Sequence, residues 1–136
     1  MIRQAYEDAS ALFVEVVGHI EPAQWDKPAL GVWTVRDLVG HTSRALLTVE
    51  GYLATPAAQR EVLRPVDYFL RAQAGLADPA AVAARGRAAG AALGSDPVAS
   101  VRDIAARVLV QVKTVSDDNT FAKMRALERA SVVELE

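Results

Sequence analysis

Trp33-Thr34-Val35-Arg36-Asp37-Leu38-Val39-Gly40-His41-Thr42, continuing through Ser43-Arg44-Ala45-Leu46-Leu47-Thr48-Val49-Glu50-Gly51-Tyr52-Leu53-Ala54, is the stretch whose reading decides the fold. Thr34 puts a hydroxyl where a helix begins, and Asp37 puts a carboxylate three residues on. This is the pattern of a capping box, with Asp in place of the usual Glu. Val35, Leu38, Thr42, Ala45, Val49 and Tyr52 or Leu53 then recur at helical spacing, and Thr55-Pro56 ends the run. A helix over 34–54 rises about 1.5 Å per residue, or ~30 Å in all, the height of a helical bundle.

Working outward, residues 2–18 predict a helix through Ile2, Tyr6, Ala9, Phe13, Val16 and Val17, stopped by Gly18. Pro22 opens one short turn, and Lys27 to Val32, with Pro28 and Gly31, reads as loop. Beyond the long helix, residues 57–64 read as loop or a short helix. Pro65 then opens a helical stretch with Val66, Phe69 and Leu70 that fades at Gly75. Asp78-Pro79 and Asp96-Pro97 each set a capping acid before a proline at the first helical position. They open helices over 79–93 and 97–115, and a final one is expected over about 122–136. Gly86, Gly90 and Gly94 fall four apart on one face and predict a close helix–helix approach rather than a membrane contact, because Arg85 and Arg87 share that helix.

The composition agrees with an all-α fold. The 136 residues are rich in alanine, the best helix former, and 6% aromatic. The absence of cysteine excludes a disulfide scaffold, an iron–sulfur site and a cysteine nucleophile. A formal net charge of −2 without a basic stripe argues against a nucleic-acid partner. No apolar run reaches the ~20 residues of a membrane helix, and the acidic first residues are unlike a signal peptide. The expectation is one cytoplasmic domain over 1–136, an antiparallel four-helix bundle. No serine sits in a G-x-S-x-G context, and no glycine-rich phosphate loop follows a strand.

Three residues are candidates for chemistry. With Leu38 set at zero on a helical wheel, His41 lies about 60° and Asp37 about 100° to the same side. His41 then borders the apolar stripe with Asp37 one turn below. Two readings stay open: a histidine at the core edge bonded to Asp37, or a metal ligand whose other ring nitrogen Asp37 holds. Glu134 falls within about 20° of Leu127 on its wheel, so it is either an inward carboxylate or part of a solvated end. His19, after Gly18, reads as a cap on the first helix. Trp25 and Trp33 read as anchors of the intervening loop.

The block Trp33-xxx-Asp37-xxx-His41 resembles the second-helix motif of the mycothiol-dependent maleylpyruvate isomerase N-terminal domain, one of the DinB/YfiT-like metal-binding four-helix bundles. Trp25-Asp26-Lys27-Pro28-Ala29-Leu30-Gly31 is similar to that family's approach to the helix. Met124-Arg125-Ala126-Leu127 with Glu134-Leu135 is similar to its last helix, whose motif runs Glu-Leu-x-x-His. The resemblance implies an up-down-down-up order of the four helices and a divalent ion, zinc above all, with His41 as first ligand, Glu134 as second and Asp37 supporting them. It implies mycothiol or a similar thiol as cosubstrate, a small-molecule substrate, and isomerase or thiol S-transferase activity. It also implies a third ligand four residues after Glu134. That is position 138, beyond Glu136, so the last helix is expected to be cut short and the chain alone to hold no tight metal. The alternatives are a non-catalytic bundle that binds a ligand or partner helix, and a homodimer built on exposed helix faces.

Overall fold

The computed structural model describes residues 2–55 and 78–114, with 66, 67, 70 and 73 between them. Four helices and one small ribbon make up these residues: α1 (Ile2–Gly18), a 3-10 turn (Pro22–Gln24), β1 (Pro28–Leu30), β2 (Trp33–Thr34), α2 (Val35–Ala54), α3 (Pro79–Ala92) and α4 (Pro97–Thr114). The result is a mostly helical bundle, as the sequence predicts. Of the stretch expected over 65–75, residues 66, 67 and 70 are helical. Residues 57–64 and the expected last helix, about 122–136, lie outside the described residues.

The ribbon departs from the loop expected over 27–32. β1 and β2 pair antiparallel, Pro28 opposite Thr34 and Leu30 opposite Trp33. Gly31 makes the reversal at φ +57°, a backbone region open to glycine at no steric cost. The ribbon fixes the start of α2. A helix begins with four unpaired N–H groups, and all four are satisfied here. Val35 N donates to Lys27 O at 2.9 Å, Arg36 N to Trp25 O at 3.0 Å and Asp37 N to Thr34 Oγ1 at 3.2 Å. Thr34 N donates in return to Asp37 Oδ2 at 3.0 Å, so the capping box closes although Asp is a carbon shorter than Glu. Asp78 and Asp96 cap α3 and α4 as expected, Asp78 Oδ1 accepting from Ala80 N and Ala81 N and Asp96 Oδ1 from Ala99 N. His19 caps α1, its Nδ1–H donating to Glu15 O at 2.8 Å.

Two apolar clusters form the core. The first joins Val17, Trp25, Val39, Leu93 and Val101, and the second joins Leu46, Ala105, Val108 and Val112, with Tyr6 packed against it. Trp25 is thus an anchor, and the Arg36 guanidinium sits 5.7 Å above its ring. Glu50 on α2 and Arg107 on α4 add a two-pronged ion pair, at 2.9 and 3.2 Å.

The buried stripe of α2 differs from the one drawn through Leu38, Thr42 and Ala45. Its buried residues are Val39, Gly40, Ser43 and Leu46, whereas Thr42 and Ala45 are exposed. The physical reason is residue size. Gly40 and Ser43 do not score as apolar, yet they are buried because they let neighbours come close. Ser43 spends its hydroxyl on Val39 O at 2.8 Å, so burial leaves it satisfied.

Candidate functional site

The site is built where α2 meets α3. A Cβ at Gly40 would fall inside the backbone of Ala89 and Gly90, and one at Gly90 would reach 2.9 Å from Asp37 Cα. The two helices therefore touch backbone to backbone. Four residues before Gly90, Gly86 leaves room for the Trp33 ring, which occupies the space a Cβ would need. The close approach predicted from Gly86 and Gly90 is thus present. Gly94 serves differently: it ends the helix at φ +70° with nothing within 4 Å of its Cβ position.

Trp33 is clamped at its edge. Its Nε1–H donates to Ala83 O at 3.0 Å, and its ring packs on His41 with centroids 4.5 Å apart and planes tilted by 34°. His41 is exposed on its remaining side. Partial burial pushes its imidazole below the ordinary histidine range, and the positive charges of Arg44 and Arg85 push it further the same way. Trp33 also lines, with Leu30, Val32, Pro79 and Val82, a shallow open pocket of about 370 Å³. Leu30 and Val32 are 60% and 66% exposed at its rim.

His41 is therefore accessible, but it lies away from the buried stripe. With Val39 at zero, His41 points about 160° away, toward the edge of the α2–α3 contact. Asp37 keeps its carboxylate on Thr34 N, in the capping role, and none of its hydrogen bonds goes to the imidazole. The ring of His41 is oriented by Trp33 instead. Glu134 lies outside the described residues. Sequence reasoning missed Arg44 and Arg85, whose signal was present: His41 and Arg44 are three apart on one helix, and Arg85 adjoins Gly86.

Among the described residues, no group of three or more His, Asp or Glu side chains could hold a metal ion. His41 is one ligand, and a protein zinc site needs three or four. Two arginines beside it oppose a cation unless carboxylate neutralises them. The described residues do not by themselves fit a metal.

The family model of the mycothiol maleylpyruvate isomerase N-terminal domain matches residues 6–133. The chain belongs to this family. No curated protein and no solved structure matches it. The match runs through the ribbon, the Trp33–His41 stack and the α2–α3 contact, so the geometry above belongs to the family domain. No helix among the described residues is long and apolar enough to cross a membrane.

Proposed function

We propose that this chain is the thiol-handling domain of a mycothiol-dependent isomerase or S-transferase. The observation that carries the reading is the family match over residues 6–133, together with one accessible imidazole held by Trp33 at the helix contact. His41 would be the first ligand of a divalent ion and Glu134 the second, with a further ligand completing the set. Such an ion would lower the pKa of a bound thiol and supply a thiolate to a protein without cysteine. The chain's own part is to fix the imidazole: Trp33 covers one side of the ring and leaves the other open.

A single domain over 1–136, working in the cytoplasm where small thiols stay reduced, fits this role. The expected up-down-down-up order has support in the two clusters. Along α2 and α4, residues of the first cluster precede those of the second, whereas α1 meets Tyr6 first and Val17 last. That sequence fits α2 and α4 running alike and α1 running against them.

The test is turnover of maleylpyruvate with and without mycothiol by the full natural protein. Thiol-dependent isomerisation, reduced at least a hundredfold by His41→Ala, is the expected result. Turnover without thiol, or turnover that His41→Ala leaves intact, would overturn the reading. A second reading, a ligand-binding or dimerisation module that lost its metal, is favoured by one observation: the positive charges of Arg44 and Arg85 act on His41 and oppose a cation there. Thiol-independent binding with no turnover would select it.

A further inference from the structure

An open groove of about 370 Å³ runs between α1 and α4. Ser10, Ala11 and Val14 of α1 face Ala105, Ala106 and Leu109 of α4 across it. Its floor is apolar, because the Ser10 hydroxyl is spent on Tyr6 O at 2.7 Å. The alanines keep both walls low, which lets further helices approach closely. Beside the groove, Leu12 on α1 and Val110 on α4 are 60% and 65% exposed. Arg107, the partner of Glu50 on α2, lies about 160° around α4 from Leu109. The groove therefore opens away from α2 and from His41.

The two walls carry opposite charge. Glu15 lines the α1 side and Arg102 the α4 side. They stand at the same end, because a Cβ at Gly18, three residues beyond Glu15, would lie 3.6 Å from Arg102 Nη2. Among the described residues neither is in an ion pair. Toward the other end, Asp8 falls within about 20° of Glu15 around α1, and Lys113 within about 20° of Arg102 around α4. One wall is thus acidic and the other basic along a shared apolar floor.

A surface of this pattern complements itself. A two-fold axis along the groove lays α1 of one copy over α4 of the other and sets Glu15 against Arg102 twice. A two-fold axis across the groove lays α1 over α1, acid against acid. With 17 residues in α1 and 18 in α4, the face is about 25 Å long and about 20 Å wide. Two copies joined through it would bury roughly 1,000 Å², the lower limit for a specific interface.

We propose that the α1–α4 groove is a homodimer interface, in which α1 of each copy packs on α4 of the other and Glu15 pairs with the partner's Arg102. An interface of this size, rimmed by exposed charges, gives a salt-sensitive dimer with a dissociation constant in the micromolar range. The proposal does not rest on the thiol reading, and it leaves His41 open in both copies.

The test is analytical ultracentrifugation of this chain over a range of protein and salt concentrations. The expected result is a reversible monomer–dimer equilibrium that weakens as salt rises. Ala106→Arg should shift it to monomer, and Ala88→Arg, at an exposed position of α3, should leave it unchanged. Thermal unfolding, at a concentration where the native chain is monomeric, checks that each variant is folded. Glu15→Arg and Arg102→Glu should each weaken the dimer at least tenfold, because each alone sets two like-charged pairs across the interface. Mixing these two variants should restore it, since each then meets its charge complement at both contacts.

A chain that stays monomeric at millimolar concentration would overturn the proposal. So would a dimer that Ala106→Arg leaves intact, or a mixture of the charge-reversed variants that associates no more tightly than either alone. An oligomer larger than a dimer would also overturn it, because a two-fold face closes on itself. If Ala106→Arg does not fold, the charge-reversed pair decides alone. A monomer leaves the thiol reading standing, and failure of thiol-dependent turnover leaves this interface standing.

Discussion

Gly40 of α2 lies against the backbone of Gly90 of α3 so closely that neither position has room for a side chain. That contact sets where α3 crosses α2, and so where Arg85 and the seat of Trp33 lie relative to His41. Gly40→Ala should destabilise the fold by about 1–3 kcal/mol or more, because the obstructing atoms are backbone and cannot turn aside. Gly51, on the same helix with nothing within 4 Å, is the control. Gly51→Ala should stabilise by about 0.5–1 kcal/mol through helix propensity. Urea unfolding of both variants checks the pair, and a Gly40→Ala protein within about 0.5 kcal/mol of the native one would contradict the packing.

Thr34 and Asp37 hold each other's backbone N–H groups, at 3.2 and 3.0 Å. Thr34→Ala should cost about 1 kcal/mol. Asp37→Ala should cost a similar amount, and the double variant should cost less than the two losses added together, since each residue supports the other. A double-mutant cycle measured by chemical unfolding reads this directly. Strict additivity would show that the box contributes nothing as a unit.

His41 should titrate below the ordinary histidine value near 6.5, chiefly through partial burial and then through Arg44 and Arg85. Removing either charge, by Arg44→Gln or Arg85→Gln, should raise it. The consequence for stability has a definite sign. A folded-state pKa below the unfolded one means that the unfolded chain binds more protons. The contribution is therefore fully present above about pH 6.5 and is lost as pH falls through the unfolded value toward the folded one. Proton NMR of the imidazole across pH 4–8 checks the direction, and a His41 value above 6.5 in the metal-free protein would refute it.

Much of this fold was legible before any coordinates, for reasons the residues make plain. Thr34, Asp37, Asp78-Pro79 and Asp96-Pro97 act through neighbours within three positions, so sequence spacing alone exposes them. The stripe of α2 was misread because burial there goes to Gly40 and Ser43, whose use is to be small rather than apolar. The β1–β2 ribbon was missed because two or three residues per strand give no alternation to read. At the site, His41 and Trp33 stood out in the sequence. Their stacking depends on a seat for Trp33 fifty residues away on α3, which periodicity does not report.

The central claim is that His41, with Glu134, holds the divalent ion of a thiol-dependent domain, and metal retention tests it most directly. The protein is stripped with chelator, reloaded with zinc, passed through gel filtration and analysed for metal. The proposed reading gives His41 and Glu134 as two of the three ligands a zinc site needs, so these 136 residues by themselves should retain no stoichiometric zinc. A chain extended to carry a histidine at position 138 should retain about one zinc per molecule, and His41→Ala or Glu134→Gln in that chain should abolish retention. Stoichiometric zinc in the 136-residue chain, or in the extended chain after His41→Ala, would contradict the account.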